Sequence, residues 1–253
     1  MYNVVLVIAY QGTFFKGFQS QPNQRTVYDT VVQALNEIYK EPVKCSFSGR
    51  TDSGVHAAEQ HMNFETTQYI PSEGLLRAAQ SLLPGDIQCR AVFYAEAEFD
   101  ARFSACSREY RYRFSLEPVS VVLRPYVYEL NGNVDLNVLN RLGQMLLGTH
   151  DFAGFSCEGS EVTTTLRTLY YFEVKEKVIL DLVNSDKARY YEVVIIGNSF
   201  LYKMVRNIIG ALFSVCSDTL TESAFKQIIA NGTRSHHYQT VSPVGLCLSR
   251  VNY

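Results

Sequence analysis

The chain has 253 residues, of which 47% are hydrophobic and 19% are charged. This composition supplies enough apolar side chains for a sizeable core, excludes a disordered chain, and fits one large domain or two small ones. The net charge of −2 weighs mildly against a nucleic-acid partner, because RNA phosphates are usually met by a basic surface.

The six cysteines and the N-terminal residues limit the cofactors and the location. No two cysteines are spaced as C-x-x-C and no His stands at ligand spacing from a Cys, so we predict no metal. Thiols in a reducing compartment are favoured over a disulfide framework. The first ten residues have no basic start and only a short apolar run, which fits neither a signal peptide nor a membrane span. We therefore expect a cytoplasmic protein.

The first half of the chain interleaves strands with helices. Alternating or continuous apolar runs predict strands at residues 4–10, 43–47, 60–64 and 87–94. One helix is expected to follow Thr26 as its cap and to end before Pro42, and a second is expected to follow Ser72 and to include Leu83. A polar loop at residues 49–57 separates the second and third of these strands.

The second half has a similar inventory. Residues 108–115 alternate strictly, with Tyr110 on one face of a strand and Arg111 on the other. Further strands are predicted at residues 166–174, 178–182, 189–196 and 245–251, with a turn at residues 184–186. Helices are predicted from the cap Asp135 to residue 147, at residues 202–216, and from a capping box formed by Thr219 and Glu222 to residues 231–232.

This mixed order indicates the fold class. Strands are often adjacent in sequence, which favours an α+β fold with a largely antiparallel mixed sheet flanked by helices over a doubly wound fold. Because the halves have similar inventories, we predict two similar subdomains at residues 1–104 and 105–253.

The polar loop at residues 49–57 holds the candidate chemistry. Arg50 and Asp52 lie two residues apart, with glycines on either side and His56 four residues further on. Considered alone, such a segment is more often a plain turn with a solvated ion pair than a catalytic site.

The motifs along the whole chain change this interpretation. The loop reads GRTDSGVHA, and it resembles the signature of the TruA-type tRNA pseudouridine synthase family. Other segments match the same family in order. They are YQGTFFKGFQ at 10–19, FETT at 64–67, LPGDI at 83–87, FDARFSA at 99–105, REYRY at 108–112, GTHDF at 148–152 and MVRNIIG at 204–210. The resemblance covers most of the chain.

The resemblance implies a pseudouridine synthase fold and an isomerase that converts uridine to pseudouridine in tRNA. It implies Asp52 as the essential carboxylate, carried by the first subdomain, with the second subdomain completing the RNA-binding cleft. It also implies that no cofactor is needed, that the substrate is the anticodon arm at positions 38, 39 and 40, and that the protein is a homodimer. Asp52 could add covalently to the ring or sugar, or could assist loss of uracil and remove a sugar proton.

The resemblance also assigns other site residues, each with an ordinary structural alternative. Tyr110 matches the active-site tyrosine, although a core tyrosine on a strand would look the same. Arg206 matches an active-site arginine, although a helix-edge arginine can extend its charge to solvent. Arg50 is expected to contact the substrate, and Arg50 or another arginine could keep Asp52 ionised by charge pairing.

Apart from the resemblance, the stretch between Asp100 and Phe114 contains four arginines, Arg102, Arg108, Arg111 and Arg113, against Asp100 and Glu109. This predicts a local basic channel for RNA despite the net charge. Arg102, Arg108, Arg111 and Lys203 are expected to bind RNA.

Two departures from the family pattern concern RNA contacts. The first motif usually has Asp where this chain has Gln11, and Trp where it has Phe18, so contacts at that edge could differ. A tRNA-binding protein without catalytic activity is the main alternative, and a generic α+β module whose loop is only a turn is a third. Retention of Asp52, Arg50, Tyr110 and Arg206 together favours the enzyme.

Overall fold

The computed structural model describes residues 1–157, 163–181, 183, 186–235 and 237–253. The strands are β1 (Tyr2–Tyr10), β2 (Ser46–Phe47), β3 (His56–Thr66), β4 (Ile87–Ala95), β5 (Ser107–Ser115), β6 (Tyr128–Glu129), β7 (Gly148–Asp151), β8 (Leu166–Leu180), β9 (Lys187–Gly197) and β10 (Leu246–Asn252). The helices are α1 (Val27–Tyr39), α2 (Ser72–Leu82), α3 (Leu136–Gln144), α4 (Met204–Cys216) and α5 (Glu222–Asn231), with 3₁₀ turns at Gly12–Phe14 and Phe152–Phe155. The predicted α+β class with largely antiparallel pairing is confirmed.

The chain divides into two compact units. The first contains Met1–Cys106 together with Cys247–Tyr253, and the second contains Ser107–Leu246. These bounds differ from the ranges 1–104 and 105–253, chiefly because the last strand belongs with the first unit. There β10 pairs in parallel with β3, a contact between segments too distant in sequence for local patterns to reveal. The roles assigned to the two ranges remain predictions.

The first unit is built on strands in the order β4-β1-β3-β10, with β2 paired to β3. Its central strand β1 is the continuous apolar run predicted from sequence, and Val4, Val5 and Leu6 are fully buried. Helix α1 begins as expected, because the Thr26 side chain accepts a hydrogen bond from the Asp29 amide at 3.2 Å. The unit therefore holds β1 and β3 firmly side by side, and both strands border the polar segment that carries Asp52.

The second unit contains strands in the order β5-β9-β8-β7, with β6 paired in parallel to β5. Phe114 of β5 meets Phe213 of α4 edge to face, with ring centroids 4.9 Å apart. Ile208 and Leu212 of the same helix are also buried. These side chains form part of the core of the unit.

Helix α3 covers part of the outer edge of β8. The Asn140 side chain accepts a hydrogen bond from the Val174 amide at 2.7 Å and donates one to the Val174 carbonyl at 3.0 Å. Gln144 Nε2 donates to the Phe172 carbonyl at 2.9 Å. Side-chain amides thus satisfy backbone groups of β8 that a neighbouring strand would otherwise pair.

Four predicted strands have clearly different bounds in the structure, where they form three strands. The strand expected at residues 43–47 is reduced to Ser46–Phe47, whereas the one expected at 60–64 extends over His56–Thr66. The two strands expected at residues 166–174 and 178–182 are one strand, Leu166–Leu180, up to the end of β8. The charged residues 175–177 pair with β9 without interruption, because charges are tolerated on an exposed edge. Residue 182 and residues 184 and 185 of the predicted turn lie outside the described residues.

Several helix ends were predicted wrongly. Helix α2 has Pro71 at its cap position, not Ser72, and it stops before Leu83. Helix α5 is capped by Thr221, whose side chain accepts from the Ala224 amide at 3.1 Å, so the capping box beginning at Thr219 is not formed. Helix α4 begins at Met204, two residues later than expected, because Lys203 is left-handed with φ 60°. A left-handed residue cannot continue an α-helix.

Helix α3 ends at Gln144 and not at residue 147. The glycine expected to stop it, Gly148, begins β7 with φ +94°. Strands β6 and β7 were not predicted, since strands of two and four residues are too short to show an alternating pattern.

Candidate active site

Asp52 lies in the polar loop between β2 and β3. We define the Asp52 loop as residues 48–55, since β3 already begins at His56. Within it Asp52 is half-buried, Arg50 is exposed and Thr51 is buried. The residue directly before Asp52 therefore lies in the interior, while the Asp52 carboxylate is partly open to solvent.

Gln60 fixes the start of the loop. This side chain is fully buried, and its Nε2 donates to the Gly49 carbonyl at 2.6 Å while its Oε1 accepts from the Gly49 amide at 3.2 Å. Ser48 Oγ also donates to Gln60 Oε1. One amide side chain thus bonds Gly49 on both backbone groups, as a neighbouring strand would, directly before Arg50 and Asp52.

Thr51 is anchored through both its side chain and its backbone. Its hydroxyl is hydrogen-bonded to the Tyr10 hydroxyl at 2.7 Å, and both residues are buried. The Thr51 carbonyl accepts from the Phe18 amide at 3.0 Å. Since Thr51 immediately precedes Asp52, these bonds determine where the Asp52 backbone begins.

The end of the loop is a tight turn that closes on Asp52. The Val55 amide donates to the Asp52 carbonyl at 3.1 Å, and Gly54 between them has φ +81°. His56 is buried, and its Nδ1 accepts from the Gly12 amide at 3.1 Å. His56 therefore braces the neighbouring segment through a backbone contact.

Two glycines let the segment after β1 lie against the loop. A Cβ atom on Gly12 would stand 1.9 Å from the Val55 carbonyl oxygen, and one on Gly17 would stand 3.0 Å from the Thr51 carbonyl oxygen. Gly17 also has φ +94°, which favours glycine. The close approach of the two backbones requires these residues and leaves the Asp52 loop little freedom to move.

The two departures from the family pattern occupy different environments. Phe18 is fully buried, and its ring packs against Phe47 at 4.7 Å and Tyr10 at 6.1 Å. Its side chain therefore belongs to the core of the first unit. Gln11 is half-buried, and its backbone N–H donates to the Asp86 carbonyl at 2.9 Å. The effect of Gln11 on RNA contacts remains a prediction.

Tyr110 lies in the second unit, on β5. It is 9% exposed, and its ring meets Phe200 edge to face at 5.1 Å. This small exposed fraction is compatible with a wall of a binding site and with a core tyrosine alike. Its substrate role therefore remains a prediction.

The predicted RNA-binding arginines of β5 are engaged within the second unit. Arg108 is buried and donates to the Asn198 carbonyl at 2.8 Å. Arg111 forms ion pairs with Glu109 at 2.7 Å and with Glu192 at 3.3 Å, and Arg113 pairs with the same Glu192 at 2.9 Å. Counting the charges of β5 alone would assign Arg111 and Arg113 to RNA binding. Glu192 of β9 neutralises part of that positive charge.

Arg206 and Lys203 lie at the start of α4. Arg206 is half-buried, and its Nε donates to the Val241 carbonyl at 2.9 Å. Lys203 is the left-handed cap residue, and its Nζ lies 4.9 Å from the centre of the exposed Tyr202 ring. The bond to Val241 restrains the Arg206 guanidinium, as a substrate contact would need.

Arg102 lies in the first unit, on a turn at residues 100–104. It is exposed, and its guanidinium lies 5.1 Å from the centre of the Phe103 ring. The described structure thus places Arg50, Asp52 and Arg102 in the first unit, and the other predicted site residues in the second. Those residues are Arg108, Tyr110, Arg111, Lys203 and Arg206.

Other features of the described residues lie apart from these predicted sites. A shallow cavity of about 550 Å³ in the second unit is lined by Thr149, His150, Asp151 and Lys226, among others. None of the predicted site residues lines it. Across the described ranges, no three His, Cys, Asp or Glu side chains form a group suited to a metal ion. No described helix combines the length and the apolar character that crossing a membrane requires.

Sequence reasoning missed Tyr10 and Gln60 as supports of the Asp52 loop. Tyr10 was visible only as the end of a strand, and Gln60 only as the start of one. Their partners lie 41 and 11 residues away in the chain, and no local pattern reports such contacts.

The fold and the loop together define an α+β protein that holds a half-buried carboxylate on a fixed segment between two strands. Comparison of this sequence with those of known proteins identifies a matching family and relatives that cover the whole chain. The family model described as tRNA pseudouridine synthase matches residues 143–253. The tRNA pseudouridine synthase A of Chlamydia felis (strain Fe/C-56) is 34% identical over 257 aligned positions, covering 100% of this chain and 92% of that protein.

Two further relatives extend this result. The tRNA pseudouridine synthase A of Bacillus pumilus (strain SAFR-032) is 38% identical, covering 99% of this chain and 98% of the relative. That of Chlorobaculum tepidum is 37% identical, covering 99% and 97%. The chain belongs to the tRNA pseudouridine synthase family.

Proposed function

We propose that this chain modifies uridines in the anticodon arm of tRNA, expected at positions 38, 39 and 40, with Asp52 as the reacting carboxylate. As a member of its family the chain is an isomerase that converts uridine to pseudouridine in tRNA. The observation that supports Asp52 is its loop, in which Gly49, Thr51 and Val55 are each held by hydrogen bonds. Such rigidity is what a preorganised catalytic group requires.

The proposed reaction needs one ionised carboxylate. The N1–C1′ bond of the uridine breaks, the uracil turns, a C5–C1′ bond forms, and the proton on C5 is lost while N1 gains one. Asp52 could bond covalently to the ring or the sugar and later leave, or it could remove and return a sugar proton. Both routes conserve atoms and electrons, and both need the carboxylate in its charged form.

The remaining residues are proposed to hold the substrate. Tyr110 would stack on the uracil, and Arg50 and Arg206 would contact the uridine or its phosphates. The target base must leave its stack, which costs a few kcal/mol and must be offset by contacts to the RNA. Arg102, Arg108, Arg111 and Lys203 are proposed for the phosphate contacts. We also propose that the protein acts as a homodimer in the cytoplasm.

Pseudouridine mapping tests the assignment of Asp52. A tRNA transcript is incubated with the wild-type protein and with Asp52→Asn, and pseudouridine is located by chemical labelling and primer extension. We expect modification at positions 38 to 40 with the wild-type protein only, because the amide cannot act as a nucleophile or base. Asp218→Asn is the matched control, since Asp218 is exposed, lies in the second unit and has φ 57°, a value that Asn tolerates.

The outcomes separate the parts of the proposal. An active Asp52→Asn protein would remove Asp52 from the chemistry. Modification at other uridines would change the proposed target positions and would leave the role of Asp52 as proposed. A wild-type protein that binds tRNA without forming pseudouridine would support the alternative of a binding protein without activity.

A further inference from the structure

The turn at residues 100–104 exposes an aromatic ring. Phe103 is 80% exposed, although removing a phenyl ring from water is favourable. The guanidinium of Arg102 lies over the ring, 5.1 Å from its centre. The large exposed fraction means that most of the ring remains open to a partner.

Hydrogen bonds hold this turn rigidly. Asp100 Oδ1 accepts from the Arg102 amide at 2.8 Å and from the Phe103 amide at 2.9 Å. The Asp100 amide donates to Ser104 Oγ at 3.0 Å, and the Ser104 amide donates to the Asp100 carbonyl at 2.9 Å. Phe103 is therefore presented by a closed turn and not by a loose loop.

The turn is also fixed to the core of the first unit. The Ala101 amide donates to Asn63 Oδ1 at 2.9 Å, and Asn3 Nδ2 donates to the Phe99 carbonyl at 2.8 Å. Asn63 and Asn3 are buried and bond to each other. Burial acts to raise the pKa of the Asp100 carboxyl, but the Ser46 side chain and two backbone amides outweigh it and hold that pKa below its ordinary value. The carboxylate that closes the turn stays charged at neutral pH.

We propose that Phe103 is a stacking site for an unpaired nucleobase of the tRNA, with Arg102 on the opposite face of the ring or on an adjacent phosphate. An exposed aromatic ring next to a cation is the arrangement that binds unstacked bases, because every base has a π face and every nucleotide a phosphate. A rigid turn lowers the entropy lost on binding. This inference rests on the proposed action on tRNA.

We take the stacked base to be a different nucleotide from the target uridine. Phe103 is carried by a turn that is fixed through Asn63 and Asn3, whereas Asp52 is carried by a separate loop that is fixed through Gln60 and Tyr10. Phe103 is therefore expected to contribute to tRNA affinity and not to the chemical step.

Binding and turnover of Phe103 variants test this site. We expect Phe103→Ala to weaken tRNA binding by about tenfold and to raise KM by a similar factor, with kcat unchanged. Phe103→Tyr should restore the affinity because it keeps a planar ring. Phe103→Leu should not restore it, since leucine is apolar but cannot stack. The salt dependence of binding should be the same for Phe103→Ala and the wild-type protein, because no charge is removed.

Several results would overturn the proposal. Wild-type affinity in Phe103→Ala would exclude a stacked base, and full rescue by Phe103→Leu would indicate an apolar protein contact. A change in sedimentation of the free Phe103→Ala protein would identify a second copy of the chain as the partner of the ring. If the wild-type protein itself failed to bind tRNA, the proposed function would fail first, and the two failures are thereby distinguished.

Discussion

At the scale of single residues, the position of Asp52 depends on its neighbour Thr51. The Thr51 hydroxyl and the Tyr10 hydroxyl form a buried pair at 2.7 Å, and the Thr51 carbonyl is held by the Phe18 amide. Loss of one hydroxyl would leave the other buried with fewer bonds, which costs about 1–3 kcal/mol. The same change would loosen the residue that precedes the carboxylate.

Tyr10→Phe tests this link between packing and chemistry. We expect the free energy of unfolding to fall by about 1–2 kcal/mol and single-turnover pseudouridine formation to slow by about tenfold or more, because small displacements of a catalytic group are costly. Urea unfolding and rapid-quench assays would measure the two effects. Tyr2→Phe, on the same strand but 42% exposed, should change neither. Full activity in Tyr10→Phe would show that Thr51 is positioned without this bond.

His61 makes the stability of the protein depend on pH. Burial lowers the pKa of His61 while the nearby Glu59 raises it less, and among the described residues Nδ1 has no hydrogen-bond partner. The unfolded chain therefore binds a proton below about pH 6.5 that the folded chain resists. The contribution to stability is present above that pH and is lost as the pH falls below it, until the folded pKa is reached.

Replacement of His61 should reduce this sensitivity. We expect the urea midpoint of the wild-type protein to fall more between pH 7 and pH 5.5 than that of His61→Phe. Phenylalanine keeps a ring against Tyr253, which His61 meets at 4.9 Å. Parallel pH profiles for the two proteins would contradict a role for His61.

Residues that belong to a sequence motif could be predicted, whereas residues that act through contacts between separate strands could not. The motif order singled out Asp52, but the residues that fix it, Tyr10 and Gln60, act through contacts between separate strands. Phe18 was expected at an RNA-contacting edge, and the structure places it in the core. A substitution that keeps an aromatic ring looks the same in sequence whether the ring faces solvent or the interior.

At the scale of elements, the Asp52 loop is held by the segment that follows β1. The Gly12 backbone lies so close to Val55 that an added Cβ would stand 1.9 Å from its carbonyl oxygen. Backbone atoms cannot rotate away as a side chain can, so the two segments must separate if Gly12 gains a side chain. The loop and the 3₁₀ turn at Gly12–Phe14 therefore behave as one structural piece.

Gly12→Ala should separate them. We expect a loss of about 3 kcal/mol of stability and loss of most pseudouridine formation, measured by urea unfolding and by product mapping. Gly85→Ala is the matched control, because a Cβ there meets nothing within 4 Å. Equal stability of the two variants would contradict the close approach.

Helix ends were harder to predict than helices. Helices α1 and α4 were both predicted from sequence, whereas the cap of α5 was placed at Thr219. In the structure Thr221 accepts from the Ala224 amide, and the Thr219 hydroxyl donates to the Ser214 carbonyl at 3.1 Å. Thr219 lies three residues before Glu222 and Thr221 lies directly before it, so the sequence offers two caps and the backbone conformation decides between them.

The two threonines can be told apart by mutation. Thr221→Ala should lower the free energy of unfolding by about 1 kcal/mol, as loss of an N-cap does. Thr219→Ala should have a smaller effect, since its bond is exposed. A larger loss of stability for Thr219→Ala than for Thr221→Ala in urea unfolding would instead support the capping box that begins at Thr219.

At the scale of the whole molecule, charge is the property that sequence described least well. The net charge of −2 argued mildly against RNA, and the basic stretch around β5 argued for it. The structure pairs Arg111 and Arg113 with the buried Glu192, a residue of another strand. The fold class was predictable because strand order and apolar periodicity survive in sequence. Partners across strands, and the return of β10 to the first unit, were not.

The salt dependence of tRNA binding measures how much basic charge remains for RNA. Four phosphate contacts, from Arg102, Arg108, Arg111 and Lys203, would give a slope of about −3 in the logarithm of the association constant against the logarithm of salt concentration. Filter binding over a range of salt concentrations would give this slope, and Arg102→Ala should reduce its magnitude by about one. A flat dependence would contradict the basic channel.

The side-chain amides of α3 also bear on how this protein behaves when crowded with copies of itself. An open strand edge is a template on which other chains can add strands and aggregate. Asn140 occupies both backbone groups of Val174, and the lysine and glutamate residues at 175–177 continue along the same strand. Beside β8 the sheet is therefore terminated by a helix and then by charge. In Asn140→Leu the core would be kept, but the Val174 backbone groups would lose these bonds. That part of the β8 edge would then be open to strands of other copies of the protein in concentrated solution.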